Sequence, residues 1–227
     1  MVKLLAIETA TDTCSVALLC DGTQQELFEH LPRRQTERVL PMVDELLAAA
    51  GVTLASLDAI AFSQGPGAFT GVRVAVSIAQ GLGFAAGVPL VGVSTLACTA
   101  QAAAEEHGAG QWLVAQDARM DELYVGQYRL AEGQRVVQAC AVDALVSPEA
   151  LPDLPEGHWR GVGSGGLYLE VLRRRWPSLG EWFVECGPRA GAMLPLAQAA
   201  LQRGEAVAAE QARPVYLRNQ VIQGAIR

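Results

Sequence analysis

A glycine-rich segment between an apolar run and a long apolar helix candidate could carry chemistry. Residues 63–73 read SQGPGAFTGVR and follow a strand predicted over 57–62. Glycine tolerates positive φ and proline fixes φ, so the segment predicts a tight turn. With Thr70 as N-cap, a helix from Gly71 would leave backbone N–H groups able to cradle an anion. The alternative is a plain strand-to-helix joint, since the Lys and Ser/Thr ending of a P-loop is missing.

A second glycine turn lies in the other half of the chain. The run GVGSGG at 161–166 matches the dinucleotide-binding pattern G-x-G-x-x-G, and a helix is predicted to follow it. Glu185 lies about 20 residues further on, as that pattern requires. The preceding strand, 158–160, is short and polar. These features favour a plain helix-entry turn over a dinucleotide site.

Patterns of nucleophile and base, or of metal ligands, are missing from the sequence. The five cysteines and three histidines are scattered, without a Cys-x-x-Cys pair, which indicates reduced thiols rather than a disulfide framework or a metal centre. The hydroxyls of Ser63, Thr70 and Ser164 belong to no motif with a histidine, so no catalytic triad can be argued. We predict no catalytic residue and no metal site.

Composition and charge limit the partners of the chain. Its 227 residues are 51% hydrophobic and 18% charged, which allows one large core or two small ones. Glu8 comes too early for a signal peptide and no uninterrupted apolar run is long enough to span a membrane, so we expect a cytoplasmic protein without membrane contact. The formal charge of −7 leaves no basic excess for binding a nucleic acid alone. Any contact with a nucleic acid is therefore expected to be indirect.

The elements that would position these segments alternate between strands and helices. In the first half the predicted strands lie near 3–8, 14–20, 24–30, 57–62 and 88–93, with helices over 35–50, 71–86 and 94–106. In the second half the predicted strands lie near 134–142 and 181–186, with helices over 167–176 and 190–203. This alternation predicts an α/β fold. We place an N-terminal lobe at 1–108 and a C-terminal lobe at 109–227, whose last ~25 residues are free to return to the first lobe.

The second half begins as the first does. Glu8 and Asp12 recur at the same spacing as Asp117 and Asp121, and each pair starts where an apolar strand ends. A coincidence this short is weak evidence of duplication by itself. Acids at strand ends also serve as turn formers and N-caps.

The helix predicted over 71–86 has more apolar surface than a surface helix needs. Arg73, Ser77 and Gln80 share a narrow polar sector, and the rest is apolar across about 220°, against the ~100° stripe of an ordinary surface helix. Its row of small residues would let another helix approach closely. Together with the helix over 35–50, it predicts half of a four-helix assembly with another subunit, and the alternative is a helix buried in its own lobe. The predicted partner-binding residues are Val39, Val43, Leu46, Val72, Ala75, Val76, Ala79, Leu82 and Gly83.

The glycine segment resembles the signature of the TsaB (YeaZ) family, apart from Ala68, where the family has serine. The opening over 4–18, the run DARMDELY at 117–124 and PVYLR at 214–218 also resemble the family, so the likeness extends along the chain. The resemblance implies the actin, sugar-kinase and heat-shock-ATPase superfamily. Its members have two ribonuclease-H-like lobes, with mixed sheets flanked by helices.

The resemblance also implies roles for single residues. Superfamily enzymes hold a magnesium–nucleotide complex with acids at strand ends and a glycine turn. The implied vestigial nucleotide-binding residues are Glu8, Thr9, Asp117, Gly163 and Gly165. The catalytic TsaD relatives carry a His-x-x-x-His metal pair where this chain has Thr95 and Thr99, and threonine hydroxyls do not replace imidazole as ligands of a transition metal.

The family likeness implies a partner rather than an enzyme. We expect a non-catalytic subunit that forms a heterodimer with a TsaD-like protein, acts with a TsaE-like ATPase in making tRNA threonylcarbamoyladenosine, and forms a homodimer when alone. No cofactor of its own is expected, and ATP and Mg would reach it through the complex. The alternative is an independent ATP-binding enzyme of the same superfamily, a transferase or a peptidase.

Overall fold

The first half of the chain forms a five-stranded mixed sheet in the computed structural model, which describes residues 2–218. Its strands are Leu4–Glu8 (β1), Thr13–Cys20 (β2), Thr23–His30 (β3), Ala59–Gly65 (β4) and Leu90–Ser94 (β5). They lie in the order β3-β2-β1-β4-β5, with β1 antiparallel to β2 and parallel to β4. The central strands β1 and β4 are buried almost throughout, which explains their apolar sequences, whereas the edge strand β3 is polar and largely exposed.

The second half forms a six-stranded sheet. Its strands are Gly110–Asp117 (β6), Leu123–Leu130 (β7), Gln138–Ala139 (β8), Ala144–Val146 (β9), Trp159–Val162 (β10) and Leu179–Phe183 (β11). The order is β11-β10-β6-β7-β8, and β9 also pairs with β7. The antiparallel hairpin of β6 and β7 repeats that of β1 and β2, so both halves begin with the same unit.

Helices flank both sheets. Within the described residues the α-helices are Gln35–Ala50 (α1), Phe69–Ala86 (α2), Thr95–His107 (α3), Leu169–Arg175 (α4) and Ala190–Gln202 (α5). The inner sides of α1 and α2 pack on one face of the first sheet. By length and composition α2 could cross a membrane, a test that core helices of globular proteins also pass. Two mixed sheets flanked by helices confirm the predicted α/β fold class.

Two helices cross between the lobes. Leu96 of α3 packs with Trp112 of the second sheet, and α5 packs on the opposite face of the first sheet, against Leu4 and Ala6. The alternation of side chains along β1 therefore supplies two cores, one under α1 and α2 and one under α5.

After α5 the chain stays with the first lobe. Val207 pairs with Leu90 of β5, and the backbone N–H of Val215 donates to the carbonyl of Gln64 at 2.7 Å. The chain thus returns to the first lobe at α5. This is earlier than the sequence analysis predicted, which assigned only the last ~25 residues to such a return. Of those, 219–227 lie outside the described residues.

Helix and strand ends differ from prediction in a few places. The bounds of α1 are those predicted, and Gly51 ends the helix at φ +66°. The prediction of Thr70 as N-cap is wrong, because α2 begins at Phe69 with Ala68 at the cap and no side-chain cap bond. The strand expected over 134–142 shortens to β8, since a turn in which the Gln134 N–H donates to the carbonyl of Ala131 precedes it.

Candidate functional site

The glycine turn before α2 packs directly on the turn between β1 and β2. The Ala68 N–H donates to the carbonyl of Ala10 at 2.8 Å, and the Thr9 hydroxyl donates to the carbonyl of Gly71 at 2.8 Å. A Cβ atom at Gly67 would lie 2.5 Å from the Ala10 carbonyl oxygen, so the two backbones meet only because a side chain is missing there. The protein's own carbonyl therefore takes the Ala68 donor, which is not free to bind an anion.

Glu8 and Thr9 lie inside the first lobe. Both are fully buried, and the Glu8 carboxyl accepts the N–H of Ala10 at 2.6 Å through Oε1. Its Oε2 has no hydrogen-bond partner among residues 2–218. Burial raises the pKa of Glu8 from 4.5 to about 7, against the smaller lowering effects of its bonds to Ala10 and Ser63. In this arrangement Glu8 cannot reach a ligand in solvent.

Asp117 and the second glycine turn meet in the other lobe. The Asp117 N–H donates to the Ser164 hydroxyl at 3.0 Å, and its carboxylate accepts the backbone N–H and the guanidinium of Arg119. Gly163 has φ +103°, and a Cβ atom there would lie 2.6 Å from the Ala115 carbonyl oxygen. At Gly165 a Cβ atom would lie 2.8 Å from the Ala115 Cβ. Packing on β6 is enough to explain both glycines without a ligand.

The structure buries most of the residues predicted to bind a partner. Eight of the nine are enclosed in the first lobe, and the exception, Leu82, is half-buried. The enclosed residues are Val39, Val43, Leu46, Val72, Ala75, Val76, Ala79 and Gly83. The residue-level prediction is therefore corrected: these side chains form the lobe's own core.

The row of small residues on α2 packs against the protein's own sheet. A Cβ atom at Gly83 would lie 2.7 Å from Leu90 Cδ2 and 2.9 Å from the carbonyl oxygen of Val88. Small residues along this row let α2 approach its own sheet closely. The small residues in the sequence predict a close contact on one side of α2. In the structure this side contacts β5 and the loop before it.

The opposite side of α2 leaves apolar residues in contact with solvent. Gly81 and Ala85 are exposed, Val74, Ile78 and Leu82 are only half-buried, and Phe84 at the margin is 80% exposed. On α1, Leu40 is 46% exposed and lies on the flank opposite to Arg38, which pairs with Glu29 of β3. We call this surface the outer face, formed by Leu40, Val74, Ile78, Gly81, Leu82 and Ala85. Contiguous apolar surface of this kind marks interaction sites in globular proteins.

The sequence held a signal for the outer face. Gly81 lies inside a helix, where glycine is unfavourable, and a Cβ atom there would have nothing within 4 Å. Arg73, Ser77 and Gln80 indicate the solvent side, so apolar residues beside them on the helical wheel lie outward.

Metal-binding clusters of three or more His, Cys, Asp or Glu side chains do not occur among residues 2–218.

Comparisons with known proteins cover nearly all of the chain. The family model for tRNA N6-adenosine threonylcarbamoyltransferase, TsaD, matches residues 29–166. The tRNA threonylcarbamoyladenosine biosynthesis protein TsaB of Escherichia coli K12 is 41% identical over 232 residues, covering 96% of this chain and 96% of that protein. Its namesake in Haemophilus influenzae Rd is 37% identical over 96% and 94% of the two chains. A crystal structure from Pseudomonas aeruginosa, described as an uncharacterised protein with similarity to peptidase YeaZ, has 45% identity and a TM-score of 0.89, covering 96% of this chain and 100% of its own.

Proposed function

Since this chain belongs to the TsaB family of tRNA threonylcarbamoyladenosine biosynthesis proteins, we propose that it is a non-catalytic partner subunit in that tRNA modification. It acts by forming a heterodimer with a TsaD-type transferase, and the outer face is the contact surface. It remains in the cytoplasm, and its contact with tRNA passes through the complex. A TsaE-like ATPase joins the same assembly.

The outer face is the observation that carries this proposal. Val74, Ile78 and Ala85 lie along one side of α2 and remain in contact with solvent although the sheet buries the other side. Covering them with another pair of helices would remove apolar area from water, which stabilises association. Gly81 has no side chain on this side of α2, which allows another helix to approach closely. We propose that the isolated chain also forms a homodimer through the same surface.

The interior supports a partner role over catalysis. Glu8 and Thr9 are fully buried, and close approaches of the chain's own backbone at Gly67 and Gly163 account for both glycine turns without a ligand. Where the catalytic relatives have a histidine pair, the Thr99 hydroxyl donates to the Thr95 carbonyl at 2.8 Å, a bond within α3. We propose that the chain has no cofactor of its own and that ATP and Mg belong to the transferase side of the complex.

A charge in the outer face tests the docking surface. Gly81→Arg has room for a side chain in the free protein, so the fold is expected to persist. In the complex the guanidinium would enter an apolar contact, and affinity for the TsaD-type transferase of the same organism should fall at least about 100-fold. Isothermal titration calorimetry measures this loss. The matched control is Ala49→Arg. Ala49 is an exposed position of α1 on the flank opposite to Leu40, so this variant should leave affinity unchanged.

Reconstitution tests the role itself. Threonylcarbamoyl transfer to tRNA by the transferase and the ATPase should require this chain and fail with the Gly81→Arg variant. If tRNA modification proceeds equally well without this chain, the proposal is wrong. ATP turnover by the isolated chain would favour the alternative of an independent enzyme.

A further inference from the structure

A cavity of about 750 Å³ lies between the two lobes. It is lined by the β2–β3 hairpin of the first lobe, by the end of β7 and the loop after it in the second lobe, and by the crossing helices α3 and α5. Val2 lines it just before β1 begins, and Leu130 lines it beside the start of β6. Glu8 and Asp117 lie at the other ends of these strands, so the cavity is separate from the residues considered for nucleotide binding. Its volume lies in the range of small-ligand sites, about 300–1,000 Å³.

A buried glutamine organises one wall of the cavity. Gln101 is 1% exposed, and its Nε2 donates to Oε1 of Glu105 at 2.9 Å and to the carbonyl of Arg135 at 2.9 Å. Its own Oε1 accepts the N–H of Val137 at 2.9 Å. These three bonds fix Glu105 of α3 and the loop after β7 relative to each other. The polar groups of this wall are therefore preorganised, which lowers the cost of binding a ligand.

Two opposite charges on this wall have no partner within residues 2–218. Glu105 forms no ion pair there, and only its Oε1 accepts a hydrogen bond. The Arg135 guanidinium forms neither an ion pair nor a hydrogen bond in the same part of the chain. Both residues are exposed, so a ligand can reach them. Desolvation raises the pKa of Glu105 from 4.5, against smaller lowering effects of Gln101 and Arg189, so a cationic group beside it would offset a cost of folding.

We propose that this cavity binds a small zwitterion of the amino-acid type, with its ammonium group at Glu105, its carboxylate at Arg135 and an apolar side chain. This inference goes beyond the proposed function and does not depend on it. Ammonium with carboxylate, and carboxylate with guanidinium, form charge-assisted hydrogen bonds, which are stronger than those between neutral groups. The apolar part of the ligand contacts the apolar residues of the wall, which are Val2, Leu19, Leu130, Leu194 and Pro195.

The pair of charges decides between classes of ligand. A simple amine would leave the Arg135 guanidinium unused, and a simple carboxylate would approach Glu105, a group of the same sign. A phosphate carries more negative charge than one guanidinium balances. The amides of Gln24, Gln134 and Gln198 add uncharged donors and acceptors around the cavity. A molecule that carries both charges without a net charge matches this wall.

Amide NMR titration of the isolated chain tests the site. The probes are L-leucine and the dipeptide leucyl-leucine, which distinguish a free amino acid from a short peptide as the source of the zwitterion. At least one of them should bind with a dissociation constant below about 1 mM and shift the amide signals of 101–105 and 130–135. Isopentylamine and isocaproate each keep only one of the two charges and should bind at least about tenfold more weakly.

Two variants that each remove one charge locate the bound zwitterion. Glu105→Gln keeps an oxygen for the bond from Gln101, and Arg135→Gln lies in an exposed loop, so both should fold as the unmodified chain does. Each should weaken binding of the better probe at least about tenfold. The matched controls are Glu106→Gln and Arg129→Gln, which neutralise exposed residues outside the cavity wall and should leave affinity unchanged.

Three results would overturn the inference. It is wrong if neither probe binds at about 10 mM. It is also wrong if Glu105→Gln and Arg135→Gln bind the probe as the controls do, because the ligand then lies elsewhere. Binding of isopentylamine as tight as that of L-leucine would show a site for simple amines instead of a zwitterion. These titrations need no transferase, so failure here leaves the docking role untouched.

Discussion

The sequence suggests Glu8 as a ligand of a magnesium–nucleotide complex, but burial determines its protonation and its access to solvent. Its place at the end of β1 fits a magnesium–nucleotide site, and also fits a turn former. In the structure it is fully buried with one oxygen bonded to Ala10, and desolvation raises its pKa from 4.5 to about 7. At neutral pH the carboxylate is therefore a cost to the fold.

This cost predicts a pH-dependent stability. Between pH 4.5 and about 7 the folded state binds more protons at Glu8 than the unfolded state, so unfolding free energy falls as pH rises through this window. Glu8→Gln removes that dependence and should stabilise the protein by up to about 3 kcal/mol at pH 8, with little change at pH 4.5. Urea unfolding of both proteins from pH 4.5 to 8 measures the difference. A gap that stays constant with pH would show that burial does not set the Glu8 pKa.

At the scale of elements, α2 has two sides that use glycine for different reasons. Gly83 lies on the inner side, against Val88 and Leu90, whereas Gly81 lies on the outer face with open space beside it. Both look alike in the sequence, since each is a glycine within an apolar helix.

Alanine substitutions distinguish the two sides. Gly81→Ala should raise the free energy of unfolding by about 0.5–1 kcal/mol, because alanine reduces the entropy of the unfolded chain and its methyl group meets nothing. Gly83→Ala should lower it by about 1–3 kcal/mol, because the methyl group would overlap the Val88 carbonyl and Leu90. Thermal and urea unfolding measure both. Equal effects at the two positions would contradict the orientation assigned to α2.

At the scale of the molecule, α5 joins the lobes through a polar anchor at its start. Glu26 of β3 accepts two bonds from the Arg189 guanidinium and one from the Gly191 N–H at 3.0 Å. Ser15 accepts the Ala190 N–H at 3.0 Å and donates to Glu26 at 2.7 Å. An acid at a helix N-terminus satisfies free donors and is favoured by the helix dipole.

Loss of this anchor should loosen α5. Glu26→Ala leaves Arg189 and the Gly191 N–H without their partner and should cost about 2 kcal/mol of stability. Hydrogen exchange should show faster exchange of the α5 amides while β6 and β7 keep their protection. Glu29→Ala, which breaks the exposed pair with Arg38, is the control and should have a much smaller effect. Unchanged α5 exchange in Glu26→Ala would show that apolar packing alone holds the helix.

The sequence by itself determined the alternation of strands and helices, the bounds of α1 and the family. These depend on local periodicity, turn residues and motif identity, all of which are present in the linear chain. The tertiary structure alone decided which of the apolar residues of α2 the sheet covers, that Glu8 is fully buried, and that α5 packs on the first sheet. A helix that is apolar over a wide arc fits a sheet in many rotations, and only the contacts made by Gly83 and its neighbours select one.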